Sequence, residues 1–368
     1  MKITIAKIKH HQLQFKFEAG TSRGTLKTKD TWFIQVFNNH NLIGIGEAGP
    51  LKGLSIDDIE ELPHQLEVVT KKLTGMRVPG NLNEVLQLAQ DLAHHDFPSI
   101  RFALETALLD AMHGGERKIF ETAFYSSEKR IPINGLVWMG SEKFMQQQIE
   151  EKLNAGFDCI KMKIGAIDFE TEIRLLKLIR EKYSGEQIVL RVDANGAFSA
   201  KEALAKLTTL AKLEIHSIEQ PIKPGQWKEM KELCEKSPIP IALDEELIGI
   251  NSIHEKEMLL KEIQPQYLIL KPSLIGGIKS TFEWVSLCKQ YQIDWWLTSM
   301  LESNIGLNAI CQLADYLNVS MPQGLGTGQL YHNNIDSPLT IQKGEIFYNK
   351  NLKWKMIYMD SKIKLHKG

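Results

Sequence analysis

Five short apolar runs between residues 159 and 271 each end in ionisable side chains: Lys161-Met-Lys163, Arg191-Val-Asp193, Ile218-Glu219, Leu243-Asp244 and Leu270-Lys271. From Lys163 onward these ends follow one another at intervals of 30, 26, 25 and 27 positions, each close to one strand-plus-helix unit. Repeated units of that kind bring all five ends to one rim. Three carboxylates on neighbouring strands, Asp193, Glu219 and Asp244, repel one another unless positive charge sits among them. Oxygen-only ligation with no His or Cys cluster nearby points to a hard divalent cation, Mg²⁺ first and Mn²⁺ second. Lys163 and Lys271 flank the trio, and an ammonium beside a divalent cation loses its proton more readily, as a general base must. The set suits removal of a proton α to a carboxylate, with the metal countering the charge of the enediolate. Lys161 faces the same way as Lys163 under strand alternation and is either a substrate contact or a salt-bridge partner inside the trio. A lone strand-end acid is ordinarily a helix cap or a loop ion pair; five ionisable ends in register require a site.

The elements that position these residues are legible as two patterns. Residues 1 to about 50 alternate with period two (Ile3-Ile5-Ile8, Trp32-Phe33-Ile34-Val36, Leu42-Ile43-Ile45), the mark of antiparallel strands. A helix follows over 98–113, opened by Pro98 and stopped by Gly114-Gly115. From about Arg130 short β-branched runs alternate with amphipathic helices. The strand candidates are Ile131 to Val137, Cys159 to Lys163, Ile188 to Asp193, Ile215 to Glu219, Ile239 to Asp244, Tyr267 to Lys271 and Ile293 to Thr298. Gly156 and Gly185 read as helix stops, and Ser199 with Glu202 as a capping box. Such alternation implies parallel βαβ units, and an eighth short strand near Gln323 to Gly326 closes a barrel. Strand-like residues return after about Tyr331, at Ile346-Phe-Tyr348 and Trp354 to Tyr358. The expected organisation is an α+β capping domain over 1–129, a barrel over 130–330 and a segment over 331–368 that returns to the cap. The small, polar loop Ala19 to Thr25 is expected to act as a lid, with Arg23 meeting a second substrate carboxylate.

Composition narrows the functions. The chain has 368 residues, 43% hydrophobic and 24% charged, more than the about 250 of a plain eight-fold barrel. Lys+Arg 44 against Asp+Glu 45 gives a net charge of −1, which offers no basic field for nucleic acid. The first residues alternate charge with apolar side chains and no run is long enough for a bilayer, so a cytoplasmic protein without a membrane partner is expected. Cys159, Cys234, Cys288 and Cys311 form no C-x-x-C pair and read as buried small hydrophobes. Gly44-Ile-Gly-Glu-Ala-Gly49 matches a dinucleotide fingerprint, but Pro50-Leu-Lys-Gly53 follows it instead of a helix. A Schiff-base aldolase on Lys163 or Lys271 leaves the three carboxylates without a task. A scaffold that has lost catalysis does not explain why both lysines and all three acids are present.

At these residues the chain resembles the enolase superfamily, and within it the muconate-lactonizing subgroup, over essentially its whole length. Lys161-Met-Lys163 is similar to that subgroup's K-x-K, Asp193-Ala-Asn195 to its D-x-N, Glu219-Gln-Pro221 to its E-Q-P, Asp244-Glu245 to its D-E and Lys271-Pro272 to its sixth-strand lysine. The resemblance implies an α/β fold, a modified TIM barrel of (β/α)7β type with an N-terminal α+β capping domain. It implies Asp193, Glu219 and Asp244 as Mg²⁺ ligands, Mn²⁺ being a substitute, and Lys163 and Lys271 as the acid/base lysines, in keeping with the superfamily's use of Lys or His bases beside Mg²⁺. Glu246 departs from the pattern, which often has Ser there.

Members include cycloisomerases, dipeptide epimerases, N-succinylamino acid racemases and o-succinylbenzoate synthases. Dipeptide epimerases usually carry D-x-D after the eighth strand, where this chain has Gly324-Leu-Gly-Thr-Gly328 without an acid. The run Thr298 to Ser303, followed by Asn304-Ile-Gly306, offers hydroxyls and a helix N-terminus as a cradle for a substrate carboxylate. With Gly135-Leu-Val-Trp138, these stretches are similar to the o-succinylbenzoate synthase group. The implied activity is a carbon–oxygen lyase that dehydrates a succinyl-hydroxycyclohexadiene carboxylate on the way to menaquinone. N-succinylamino acid racemisation or dipeptide epimerisation is the alternative. The expected partner is a small carboxylate, and a homo-oligomer is compatible. Expected substrate contacts are Lys161, Arg23, Asn195, Ser299, Ser303 and Gly326.

Overall fold

Period-two patterning folds residues 5–48 into three antiparallel strands, β1 (Ile5–Thr21), β2 (Gly24–Asn38) and β3 (Asn41–Ala48), in a sheet of that order. The computed structural model describes residues 1–21 and 24–355. Three helices follow, α1 (Leu62–Leu73), α2 (Leu82–Leu92) and α3 (Pro98–Met112). α3 lies directly on β3, and the glycines of the fingerprint-like run allow it. A Cβ on Gly44 would stand 2.2 Å from the carbonyl oxygen of Ala107, and one on Gly46 would stand 1.9 Å from that of Ala103. Those glycines serve helix–sheet packing, not phosphate binding.

After α4 (Ala123–Ser127) the expected strand over 131–137 divides in two, β4 (Ile131–Pro132) and β5 (Gly135–Val137). Pro132 has no N–H to give a ladder, and the N–H of Ile133 goes to the carbonyl of Gly344 at 2.8 Å. β4 therefore joins a different sheet from β5. The alternating units follow: α5 (Glu142–Asn154), β6 (Cys159–Lys163), α6 (Phe169–Arg180), β7 (Val189–Asp193), α7 (Ala200–Ala211), β8 (Ile215–Glu219) and α8 (Trp227–Lys236). The series ends with β9 (Ile241–Leu243), α9 (Ile253–Ile263), β10 (Tyr267–Leu270), α10 (Gly277–Tyr291), β11 (Asp294–Leu297) and α11 (Asn304–Tyr316). Ser199 and Glu202 form the expected capping box. Gly156 adopts φ +78 two residues beyond α5, whereas α6 stops at Arg180, well before Gly185. The Arg180 guanidinium, in its last turn, donates to the carbonyls of Leu213 and Ile188.

β5 to β11 form one parallel seven-stranded sheet in chain order. The expected eighth strand is present only as single bridges, Gln323 to Ile133 and Gly324 to Thr298, yet it closes the barrel. The Gln323 backbone donates to Pro132 and accepts from Asn134, while its side chain accepts from the Leu297 N–H at 2.7 Å. Arg191 plugs the barrel floor, its guanidinium 3.9 Å from the centre of the Trp296 ring and donating to the Pro322 carbonyl. The chain then runs back along β1, where Tyr331 bridges Phe15 and the His332 N–H donates to Gln14. A hairpin of β12 (Leu339–Gln342) and β13 (Glu345–Tyr348) pairs with β4. Of the strand-like run Trp354 to Tyr358, Lys355 bridges Asp336 and the residues from 356 on lie outside the described ones. All four cysteines are buried and unpaired.

Candidate active site

Parallel register sets the acids in a row. Lys163 lies opposite Asp193, and Asp193 opposite Glu219, at the carboxyl ends of β6, β7 and β8. Asp244 follows β9 directly and Lys271 follows β10. Ammonium groups and carboxylates interleave along this rim. Lys163 Nζ stands 3.2 Å from Asp193 Oδ2, and Lys161 Nζ is 3.1 Å from the same oxygen and bonds Glu219 Oε2. Lys271 Nζ bonds Asp244 Oδ2 and lies 4.0 Å from Glu219 Oε1. All three carboxylates are at most 2% exposed.

Burial alone would raise Asp193, but Lys161, Lys163 and Lys271 reverse the sign and hold its carboxyl well below the usual range. Glu219 goes the other way: burial and the neighbouring Asp193 and Asp244 push it up, offset only in part by Lys161 and Lys271. Burial opposes the charge of Lys271, yet Asp244 and Glu219 outweigh it and raise its pKa, so the group stays an ammonium. The same contest raises Lys161, with Asp193 and Glu219 as partners. Lys161 is thus an ion-pair partner between two acids that also lines the cavity.

The donor set fits a hard divalent cation. Glu219 Oε1 is buried without a hydrogen-bond partner, a costly condition for a carboxylate oxygen, and every other candidate ligand atom is a carboxylate oxygen. Asp193, Glu219 and Asp244 could hold the ion, with the lysines released toward substrate.

Asn195 bridges this row to the next turn. Its Oδ1 accepts from Lys163 Nζ at 2.7 Å, its Nδ2 donates to Glu245 Oε1 at 3.0 Å, and its backbone N–H donates to Asp193 Oδ1. Gln220 does the same for the third acid: its Oε1 accepts from the N–H groups of Asp244 and Glu246. A cavity of about 240 Å³ opens over the rim, lined on its polar side by Lys161, Lys163, Asp193, Asn195 and Lys271. Its roof is apolar. Phe17 on β1, Leu51 and Leu54 beyond β3, Trp138 after β5 and Met300 after β11 line it, and Phe17 packs edge-on against Trp138 at 5.9 Å.

Residues 144–350 match the family described as Enolase C-terminal domain-like. The chain belongs to this family. It is 45% identical over 354 residues to the o-succinylbenzoate synthase of Desulfotalea psychrophila, covering 90% of this chain and 95% of that one. The crystal structure of MenC from the same organism superposes with a TM-score of 0.83 at 41% identity, over 94% of this chain and 100% of that one. The hydrophobic dipeptide epimerase of Enterococcus faecalis is 24% identical over 85% of this chain and 87% of its own. Enolase superfamily members generally use Mg²⁺.

Two expected substrate contacts are otherwise engaged. The N-terminus of α11 already holds an anion, the protein's own Glu47: the N–H of Ser303 donates to Oε1 at 2.8 Å, and the Ser303 hydroxyl and the Gly306 N–H donate to Oε2. Ser303 is fully buried and is a helix cap facing β3, because a helix N-terminus takes the nearest carboxylate. Ser299 lines the cavity, but its hydroxyl proton goes to Glu302 Oε2, while its oxygen accepts from Thr327 Oγ1 and the Leu301 N–H. It has no second proton for a substrate carboxylate.

Gly326 lines the cavity, and a Cβ there would stand in ordinary van der Waals contact with the Asn134 carbonyl oxygen and Ile133 Cδ1. Arg23 lies outside the described residues. Glu246 turns away from the rim and accepts from the Gly225 N–H and from Gln220 Nε2, so the departure from the subgroup's pattern is absorbed by the turn after β9. The roof residues Phe17, Leu51, Leu54 and Met300 carry no chemical signature, and sequence reasoning missed them. Glu47 did leave one: it is the single charge in the apolar run from Leu42 to Pro50.

Proposed function

We propose that the chain catalyses the o-succinylbenzoate synthase reaction, the dehydration of 2-succinyl-6-hydroxy-2,4-cyclohexadiene-1-carboxylate to 2-succinylbenzoate. The observation that carries this reading is the 45% identity to the Desulfotalea psychrophila enzyme, against 24% to the dipeptide epimerase. The cavity supports it, since its wall at Gly324 and Gly326 belongs to a run, Gly324 to Gly328, with no acid to hold a substrate ammonium.

Mg²⁺ held by Asp193, Glu219 and Asp244, or Mn²⁺ in its place, would act as a Lewis acid toward the substrate's ring carboxylate. Lys163, as the free amine, takes the α-proton, and the carbanion delocalises into the carboxylate as an enediolate. The ammonium of Lys271, across the row, offsets that charge without moving a proton. Lys163 then returns its proton to the departing hydroxyl, the C–O bond breaks, water leaves and the ring becomes aromatic. Asn195 Oδ1, 2.7 Å from Lys163 Nζ, aims the amine through both steps. The apolar roof keeps bulk water from the carbanion. No helix among the described residues is long and apolar enough to cross a membrane.

The test is an assay of the purified protein in Mg²⁺ with the cyclohexadiene substrate, beside α-proton exchange on N-succinylamino acids and dipeptides in D₂O. Rapid dehydration is expected. Fast epimerisation with negligible dehydration would replace this reading by the racemase one, in which Lys163 and Lys271 serve opposite faces of the α-carbon.

A further inference from the structure

Between α2 and α3 three consecutive side chains bring their donor atoms together. His94 Nδ1 lies 3.0 Å from Asp96 Oδ2, and His95 Nε2 lies 3.4 Å from Asp96 Oδ1. The two imidazole rings sit side by side with centroids 3.9 Å apart. The three ligand atoms fall within 4.8 Å of one another. Zinc bonds of about 2.1 Å at the tetrahedral angle set ligands about 3.4 Å apart, so the spacing already approaches that of a filled site.

We infer that His94, His95 and Asp96 form a second metal site, at the surface, for a divalent transition ion of the Zn²⁺ type.

The chemistry separates it from the rim. Two imidazoles and one carboxylate suit Zn²⁺, Ni²⁺ or Cu²⁺, whereas the oxygen-only rim suits Mg²⁺. His94 Nδ1 is approached both by Asp96 Oδ2 and, at 3.5 Å, by the N–H of Asp96. A ring proton on Nδ1 would serve the carboxylate, and a cation bound through the Nδ1 lone pair would draw the same carboxylate without that proton.

The loop is held in shape. The Phe97 N–H donates to the His94 carbonyl at 3.1 Å, and Arg101 Nε donates to that of Ala93 at 3.0 Å. Binding therefore orders little further chain. Water would complete the shell of an ion held here.

The experiment is equilibrium dialysis of the full chain against Zn²⁺ in excess Mg²⁺. Any Zn²⁺ exchanged into the rim is common to all variants and cancels. Wild type is expected to retain one more Zn²⁺ per chain than His94→Ala/His95→Ala, and Asp96→Asn to bind that ion at least about tenfold more weakly. Mg²⁺-supported turnover, unchanged in all three, verifies folding, and His95→Gln provides a milder variant with the same expected loss. Equal zinc content and affinity in wild type and the double variant would overturn the site.

Discussion

Glu47 and Ser303, 256 residues apart in the chain, meet as anion and helix N-cap, the Ser303 N–H donating to Glu47 Oε1 at 2.8 Å. Through this contact β3 grips the start of α11, directly after the loop that carries Ser299 and Met300 into the cavity. Thr31 Oγ1 also donates to Glu47 Oε1, and Lys29 is buried nearby without a hydrogen-bond partner, its ammonium disfavoured by burial and supported in part by Glu47 and Glu302. The N-terminal sheet thus fixes the barrel's wall as well as its roof.

Glu47→Ala should leave the N–H groups of Ser303 and Gly306 buried and unpaired, at about 1–3 kcal/mol each, and Lys29 with one counter-charge fewer. Thermal or urea unfolding should register a loss of at least about 2 kcal/mol, and Glu47→Gln a smaller one. A midpoint for Glu47→Ala equal to that of wild type would refute the clasp.

The two lysines should separate by chemistry. Lys163→Ala and Lys163→Arg should both lower kcat by about 10²–10⁴, since neither supplies a base. Lys271→Arg keeps the positive charge and should retain more activity than Lys271→Ala. Equal damage from Lys271→Arg and Lys163→Arg in steady-state dehydration assays would mean that Lys271 moves a proton.

Asn195→Asp replaces a neutral acceptor beside Lys163 by an anion, which favours the ammonium over the amine. The base limb of the kcat–pH profile should move to higher pH, lowering kcat at neutral pH while the rate recovers as pH rises. Asn195→Ala should lower kcat about tenfold without that displacement. Coincident profiles for Asn195→Asp and wild type would remove Asn195 from its role of positioning the base.

The rim was legible from the sequence because parallel register turns a 25- to 30-residue spacing into adjacency, so Lys163, Asp193 and Glu219 could align only one way. Pro132 was not read as a break, and the strand expected over 131–137 ran through it; that β4 leaves the barrel sheet depends also on Gly344, more than two hundred positions later. The cradle expected at Ser303 failed for a similar reason. A helix N-terminus announces that it takes an anion, but which anion depends on a sheet that only the fold brings near. The apolar roof is invisible to motif reading because Phe17, Leu51 and Leu54 look like any core residue until the cavity lies beneath them.

His216 lies against the Tyr267 and Trp296 rings in the barrel floor. Burial, helped by Arg191, lowers its pKa from 6.5 to about 4. With the folded value below the unfolded one, its contribution to stability is present above about pH 6.5 and is lost as pH falls toward about 4. His216→Phe keeps the ring stack without the charge, so its stability should fall less steeply over that window than wild type's. Parallel acid limbs in urea titrations at a series of pH values would refute this.

Gly326 offers the sharpest division between fold and function. Its φ of −84 is open to any residue, and a Cβ there would meet nothing closer than the Asn134 carbonyl oxygen at 3.5 Å and Ile133 Cδ1 at 3.6 Å. The position nevertheless lines the cavity. Gly326→Ala should therefore hold or raise stability, by up to about 1 kcal/mol through a less flexible unfolded chain, while the added methyl intrudes on substrate. KM should rise several-fold with kcat little changed, and Gly326→Leu should suppress binding. A stability gain with unaltered KM in both variants would mean that substrate never approaches this wall, and the binding face would then have to be sought at Trp138 and Phe17 instead.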